Sequence, residues 1–146
     1  MFAYCRQLIS FSSDSSGSPV DLSNLTNAYA MFANCSALES FTSHLPSLTN
    51  GKGMFSECTN LTIFSYDSNG SPVNLSSLTN GYMMFYGCEK LTTFNSDLRS
   101  LTDGYGMFEY CNLDYPSIRN IADTLPNVES GNIHIGKVNT LDENYE

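Results

Sequence analysis

The stretch from Met31 to Phe41 reads MFANCSALESF, and its spacing, Met-Phe-x-x-Cys-x-x-Leu-x-x-Phe, recurs along the chain. Successive copies start 30, 23, 30 and 23 residues apart, at Met1, Met31, Met54, Met84 and Met107. Self-similarity at a period of about 20 to 50 residues is typical of repeat proteins, in which each unit buries its apolar face against its neighbours. The spacing therefore predicts a solenoid of stacked units over residues 1–111.

Each unit is expected to contain a tight helical turn and a short strand. The steps of three residues from Phe to Cys to Leu suit a helical turn, and the segment around the second Phe suits a strand. A Leu pair such as Leu45 and Leu48 follows, and then a dipeptide such as Asn50-Gly51, which readily supplies a positive φ. This order predicts an α/β architecture with short parallel strands. The longer units carry inserted loops, around Asp14–Val20 and Asp67–Val73.

The pattern changes after Cys111, where the fifth copy lacks the Leu and the second Phe. Residues 112–146 are predicted to form a C-terminal cap with an acidic tail. Helical spacing from Ile118 to Leu125, with Ser117 as the N-cap, predicts a helix, and the alternation over residues 132–138 predicts a strand.

Composition excludes some classes of function. The formal net charge is −9, which is the wrong sign for binding a nucleic-acid backbone. No apolar run approaches the length of a membrane span. Because Met1 already belongs to the first motif, the sequence predicts that the natural protein continues upstream. It also predicts a homo-oligomer through the uncapped N-terminal edge, where Phe2, Cys5 and Leu8 would otherwise face water.

The five cysteines occupy the same position in every unit. Stacked thiols at the spacing of parallel strands, roughly 4.8 Å, are too far apart for a disulfide. Closely paired Cys or His ligands are also lacking, so neither zinc nor a cofactor is implied. We therefore expect buried free thiols, located at Cys5, Cys35, Cys58, Cys88 and Cys111.

Two files of polar residues follow the second Phe of each unit. One lies one residue after it, at Ser12, Thr42, Ser65 and Asn95, and the other three residues after it, at Asp14, His44, Asp67 and Asp97. One interpretation is a binding strip for sugar hydroxyls, a peptide or calcium. The alternative is a row of solvated loop residues that cap local backbone groups.

A further file lies two residues before each motif Met. It contains the aromatic residues Tyr29, Tyr82 and Tyr105, with Lys52 at the equivalent position in one unit. Tyr supplies amphipathic contact area, so the file is a candidate recognition surface. Half-buried packing between units is the alternative. His44 and His134 are the only histidines, and the sequence shows neither a catalytic constellation nor a phosphate loop.

The run from Leu91 to Cys111, LTTFNSDLRSLTDGYGMFEYC, resembles leucine-rich repeats of the BspA type. It also resembles the related Met-Phe surface-protein repeats of gut bacteria, mycoplasmas and their phages. The family usually has an aliphatic residue two positions after the second Phe, where this chain has Ser13, Ser43, Tyr66 and Ser96. The resemblance covers residues 1–111.

This resemblance implies a leucine-rich-repeat right-handed superhelix without a catalytic site. It also implies a recognition or adhesion module of a larger bacterial surface or phage tail-associated protein. Such a module would lie outside the cell, at a cell surface or on a virion, and would bind a glycan or a protein. The alternative is a structural spacer with no ligand of its own.

Overall fold

A computed structural model describes residues 1–12, 20–66 and 70–126. Three short strands form one parallel sheet in the order β1-β2-β3, with Phe11 opposite Phe41 and Phe41 opposite Phe64. One helix follows the repeats. The elements are β1 (Ser10–Phe11), β2 (Ser40–Thr42), β3 (Ile63–Ser65) and α1 (Tyr115–Thr124).

The prediction of an α/β solenoid, a right-handed leucine-rich-repeat superhelix with a strand and a helical turn in each unit, is wrong. The described residues hold three strands of two or three residues in an open sheet and one helix. Most of the described chain is turn or irregular structure. The Met-Phe segments do not form helices because several of their N–H groups donate to the neighbouring unit, as Phe32 N–H does to the Met54 carbonyl at 2.8 Å.

The predicted helix after the last motif is confirmed, since α1 follows Cys111. Its N-cap is Asp114, whose carboxylate accepts a hydrogen bond from the Ser117 N–H at 2.9 Å, so the prediction of Ser117 as the N-cap is wrong. Pro116 occupies the first turn, where its missing N–H has no cost. The predicted strand at 132–138 and the acidic tail lie outside the described residues.

Neighbouring units are joined by backbone hydrogen bonds that repeat at equivalent positions. The motif Phe of each unit donates its N–H to the motif Met carbonyl of the next unit, over 2.8 or 2.9 Å. Further along each unit, isolated parallel bridges link the Asn or Asp that follows the Leu pair to its equivalent in the next unit. The Phe-to-Met bonds join Phe2 to Met31, Phe32 to Met54, Phe55 to Met84 and Phe85 to Met107.

Two positions in the turn have a left-handed backbone. One is the residue before each inner Met, such as Ala30 with φ of 50°, and the other is three residues after the Met, such as Glu57 with φ of 62°. An L-residue in this conformation is strained by roughly 1–2 kcal/mol, and Gly53 and Gly87 avoid that cost in their units. The predicted positive φ at Asn-Gly dipeptides is wrong, because neither Asn50 nor Gly51 has a positive φ.

Phenylalanine rings fill the core in two parallel files. The motif Phe rings stack nearly parallel, as Phe32 does on Phe55 with centroids 5.5 Å apart and planes 7° apart. The second file stacks likewise, and rings of the two files meet edge to face, as Phe41 and Phe55 do at 5.0 Å. Both arrangements are favourable for aromatic quadrupoles. In the inner units, the motif Met and the Leu side chains around these rings are almost completely buried.

Two buried serines interrupt this core where the resembling family has aliphatic residues. The hydroxyls of Ser43 and Ser96 are buried, and neither has a hydrogen-bond partner among the described residues. Ser117 is also buried, but its Oγ accepts a hydrogen bond from the Phe94 N–H at 2.8 Å. A buried hydroxyl without a partner destabilises the folded state, whereas a bonded hydroxyl satisfies a backbone group.

We predict that Ser96→Ala raises the free energy of unfolding by up to about 1 kcal/mol, because it removes an unpaired buried hydroxyl. Ser117→Ala is the matched control, since it removes the acceptor of the Phe94 N–H and should lower that free energy by about 1–3 kcal/mol. Urea denaturation followed by circular dichroism measures both values. Equal destabilisation by the two substitutions would contradict this account.

Candidate functional site

An open groove of about 620 Å³ lies on the outward face of the sheet. We call it the strand-face groove. Among the described residues that line it, the polar side-chain groups are hydroxyls and one amide, and none is ionisable. The lining residues are Ser12, Ser40, Thr42, Thr62, Ile63, Phe64, Ser65, Gly70, Thr93 and Asn95.

The groove follows from the alternation of side chains along a strand. In β2, Phe41 points into the core and is fully buried, so its neighbours Ser40 and Thr42 point to the opposite face. The parallel register repeats this arrangement in the adjacent strands, which places equivalent hydroxyls side by side. Four of the eight predicted strip residues therefore come together here, namely Ser12, Thr42, Ser65 and Asn95.

Of the other predicted file, His44 and Asp97 do not line this groove. Asp14 and Asp67 lie outside the described residues. The His44 ring lies flat on the Tyr66 ring, with centroids 3.4 Å apart, and its buried Nδ1 has no hydrogen-bond partner in the part of the chain that the structure describes. Because its Nδ1 is buried and it does not line the groove, His44 is poorly placed to contact a ligand there.

Asp97 is engaged with its own loop. Its carboxylate accepts hydrogen bonds from the backbone N–H of Arg99 at 2.9 Å and from the Arg99 Nε at 2.6 Å. The side-chain hydrogen bond from Arg99 is the main reason that the pKa of the Asp97 carboxyl is lowered. This is the local capping role that was the alternative interpretation of the file. Asp97 also borders a second, shallower cleft with Asn95 and Asn74.

The Tyr file forms a separate surface. Tyr29 and Tyr105 are 62% and 45% exposed, and Tyr82 is half-buried. The rings of Tyr82 and Tyr105 stack 5.5 Å apart, and the Lys52 ammonium lies 4.5 Å from the centroid of the Tyr82 ring. The file therefore shows both exposed area and packing between units, so the recognition role stays a prediction.

The backbone that presents this file is held by a turn that the sequence reasoning missed. An Asn or Asp two residues earlier accepts a hydrogen bond from the backbone N–H of each file residue, over 3.0–3.2 Å. Such side-chain turns are a common role of Asn and Asp. The signal was the recurrence of these residues at Asn27, Asn50, Asn80 and Asp103.

The cysteines also form a hydrogen-bonded file. The thiol of Cys58 donates to the carbonyl of Phe32 in the preceding unit, at 3.2 Å, and Cys35, Cys88 and Cys111 make the same bond at 3.0–3.2 Å. The predicted burial is confirmed for these four and is wrong for Cys5, which is exposed.

Burial raises the pKa of the Cys58 and Cys111 thiols to about 12 and also raises the pKa of Cys35 and Cys88. A thiol that stays protonated is a weak nucleophile and a weak metal ligand. Within the described ranges, no three His, Cys, Asp or Glu side chains are grouped so that they could hold a metal ion. In the same ranges, no helix is long and apolar enough to cross a membrane.

No family model, curated protein or solved structure matches this chain. The resemblance to Met-Phe surface-protein repeats therefore stays a prediction.

We predict that iodoacetamide modifies Cys5 rapidly in the native protein and modifies Cys58, Cys88 and Cys111 slowly, even at alkaline pH. Peptide mass spectrometry measures each rate, and similar rates at all these sites would contradict the burial of the inner thiols.

The raised pKa values also mean that the native state retains protons that the unfolded state loses above about pH 9. The free energy of unfolding should therefore fall between about pH 9 and 12, less steeply in Cys58→Ala than in the Cys5→Ala control.

Proposed function

We propose that this chain is a non-enzymatic recognition module that binds a glycan through the strand-face groove. The observation that carries the proposal is the chemistry of the groove. The groove is open, the described residues that line it are uncharged, and hydroxyl groups from adjacent strands are repeated along it.

A neutral, repeated arrangement of hydroxyls suits a ligand that is itself rich in hydroxyls. Each Ser or Thr hydroxyl both donates and accepts, and the Asn95 amide adds donors and an acceptor. The Asn95 side-chain amide donates a hydrogen bond from Nδ2 to the Gly70 carbonyl at 3.2 Å. This bond fixes the orientation of the amide group and therefore of its oxygen. Ile63 is 50% exposed and supplies an apolar surface against which a sugar ring can pack.

The setting we propose is a cell surface or a virion. A low fraction of charged residues, 14%, and abundant Ser, Thr and Asn suit a surface exposed outside the cell. The resemblance points to a larger bacterial surface or phage tail-associated protein. The negative net charge argues against nucleic acid as the partner. A protein ligand is the second candidate, because an open groove with exposed strand residues also suits an extended peptide.

We predict that the double substitution Thr42→Ala with Asn95→Ala weakens glycan binding about tenfold, because each lost hydrogen bond contributes about 0.5–1.5 kcal/mol. The first step is to probe an array of bacterial and mucosal surface glycans with the labelled chain. Calorimetric titration with the strongest array glycan then gives the affinity of each variant.

The matched control is Thr49→Ala with Thr102→Ala, which removes two exposed hydroxyls that bond to carbonyls of neighbouring units, away from the groove. This control should bind like the parent, and thermal unfolding should verify that both double variants are folded. If the groove variant binds as tightly as the parent, the groove is not the site. If neither the array nor a peptide library yields a ligand, the structural spacer becomes the better explanation.

A further inference from the structure

A second cleft lies along the Tyr file. Its volume is about 200 Å³, and the described residues that line it include none of those that line the strand-face groove. We call it the Tyr-file cleft. Three file residues line it, namely Tyr29, Lys52 and Tyr82, together with small residues that include Ala33, Gly53 and Ser56.

The cleft exists because two consecutive units lack the large side chains of the next unit. Lys52 takes the file position that is Tyr in the other units. Ala33 and Ser56, each two residues after a motif Met, correspond to Tyr86 in the following unit. The three turns that form the cleft have a further unit on each side, so the cleft is an internal feature of the repeats.

Hydrogen bonds between units fix the spacing of the residues around the cleft. The Ala30 N–H donates to the Lys52 carbonyl at 2.9 Å. In the next unit, the Gly53 N–H donates to the Tyr82 carbonyl at the same distance. The Lys52 N–H also donates to the Asn50 side chain at 3.2 Å. Because the backbone is held in this way, the cleft is formed before a ligand arrives, which lowers the entropy cost of binding.

Lys52 places an unpaired positive charge in the cleft. It is the only Lys or Arg between Arg6 and Lys90, in a chain whose net charge is −9. No ion pair within the described ranges includes Lys52. Its ammonium lies 4.5 Å from the centroid of the Tyr82 ring, which orients the cation and leaves N–H donors for an anion.

The size and chemistry of the cleft favour a single ring that carries one negative charge. Sites that enclose a drug-sized ligand have roughly 300–1,000 Å³, so the smaller Tyr-file cleft suits one sugar ring. Tyr29 is 62% exposed and offers amphipathic area on which such a ring can pack. One lysine matches one carboxylate, whereas the net charge of the chain repels a doubly charged phosphate more strongly.

We propose that the Tyr-file cleft binds a sugar ring that carries a carboxylate, such as a uronic or sialic acid unit of a glycan. The ring packs against Tyr29, and its carboxylate accepts hydrogen bonds from the Lys52 ammonium. The Ser56 hydroxyl lies in the cleft as a polar group for the sugar hydroxyls. The site is additional to the strand-face groove and does not depend on the proposed function.

The test is titration of the isotope-labelled full chain with trigalacturonate and with sialyllactose, followed by NMR. At least one of these acids should shift the amide signals of Gly53 and Ser56 in a saturable manner. The methyl ester of the same sugar should bind about tenfold more weakly, because it lacks the charge that strengthens a hydrogen bond. Tri-aspartate should also bind more weakly, because it offers carboxylates without a sugar ring.

Substitution of Lys52 tests the role of its charge. Lys52→Met keeps a long side chain and should weaken binding of the acid about tenfold, with little effect on the methyl ester. Lys52→Tyr restores the residue of the other units and should weaken it as well. Lys90→Met is the matched control, since Lys90 is exposed and does not line the cleft. This control should bind like the parent, and thermal unfolding should verify that all three variants are folded.

Several results would overturn the proposal. One is that neither acid shifts the Gly53 and Ser56 signals. Another is that Lys52→Met and Lys90→Met weaken binding equally, as general charge attraction would, or that the methyl ester or tri-aspartate binds as tightly as the acid. Shifts confined to Thr42 and Thr93 would place the acid in the strand-face groove instead. The groove double variant should bind these acids like the parent, so this proposal and the proposed function fail independently.

Discussion

The hydrogen bond from the motif Phe of one unit to the motif Met of the next is the interaction on which the structure depends. Within each unit some turn N–H groups bond to carbonyls three residues back, as Cys35 N–H does to the Phe32 carbonyl, but the motif Phe N–H bonds outside its own unit. Buried N–H and carbonyl groups need partners. The repeated bond supplies them and sets the distance between units. At that distance the Phe rings stack at about 5.5 Å and each inner Cys thiol reaches a carbonyl.

The same spacing positions the candidate surfaces. Because the register between units is constant, residues flanking each buried Phe form a file on the outward face, and residues before each Met form the Tyr file. The core therefore determines where the surface side chains lie, while their identities are free to vary. This separation suits a recognition module, since hydroxyls, amides or aromatic rings can be exchanged at the surface without disturbing the stacked rings.

The repeat spacing predicted which residues are buried much better than it predicted secondary structure. The identical spacing of Phe, Cys and Leu indicated a shared inward face, and the inner units have it. Helical turns were expected because steps of three residues suit a helix, but bonding to the next unit competes with bonding along the chain. Glu57 and Ala30 adopt positive φ for the same reason, and nothing in these residue types signals it. Half of the predicted strip lines the groove, while Asp97 is held by Arg99, a contact that the repeat alignment did not indicate.

Amide hydrogen exchange by NMR tests the central claim most directly. If the bonds between units hold the structure together, the amides of Phe32, Phe55 and Phe85 should exchange only through global unfolding, with the same high protection in each inner unit. The backbone amide of Thr93, an exposed residue of the strand-face groove, provides the internal reference for fast exchange. If the three Phe amides exchange as fast as that reference, the units are not joined as described and the account is wrong.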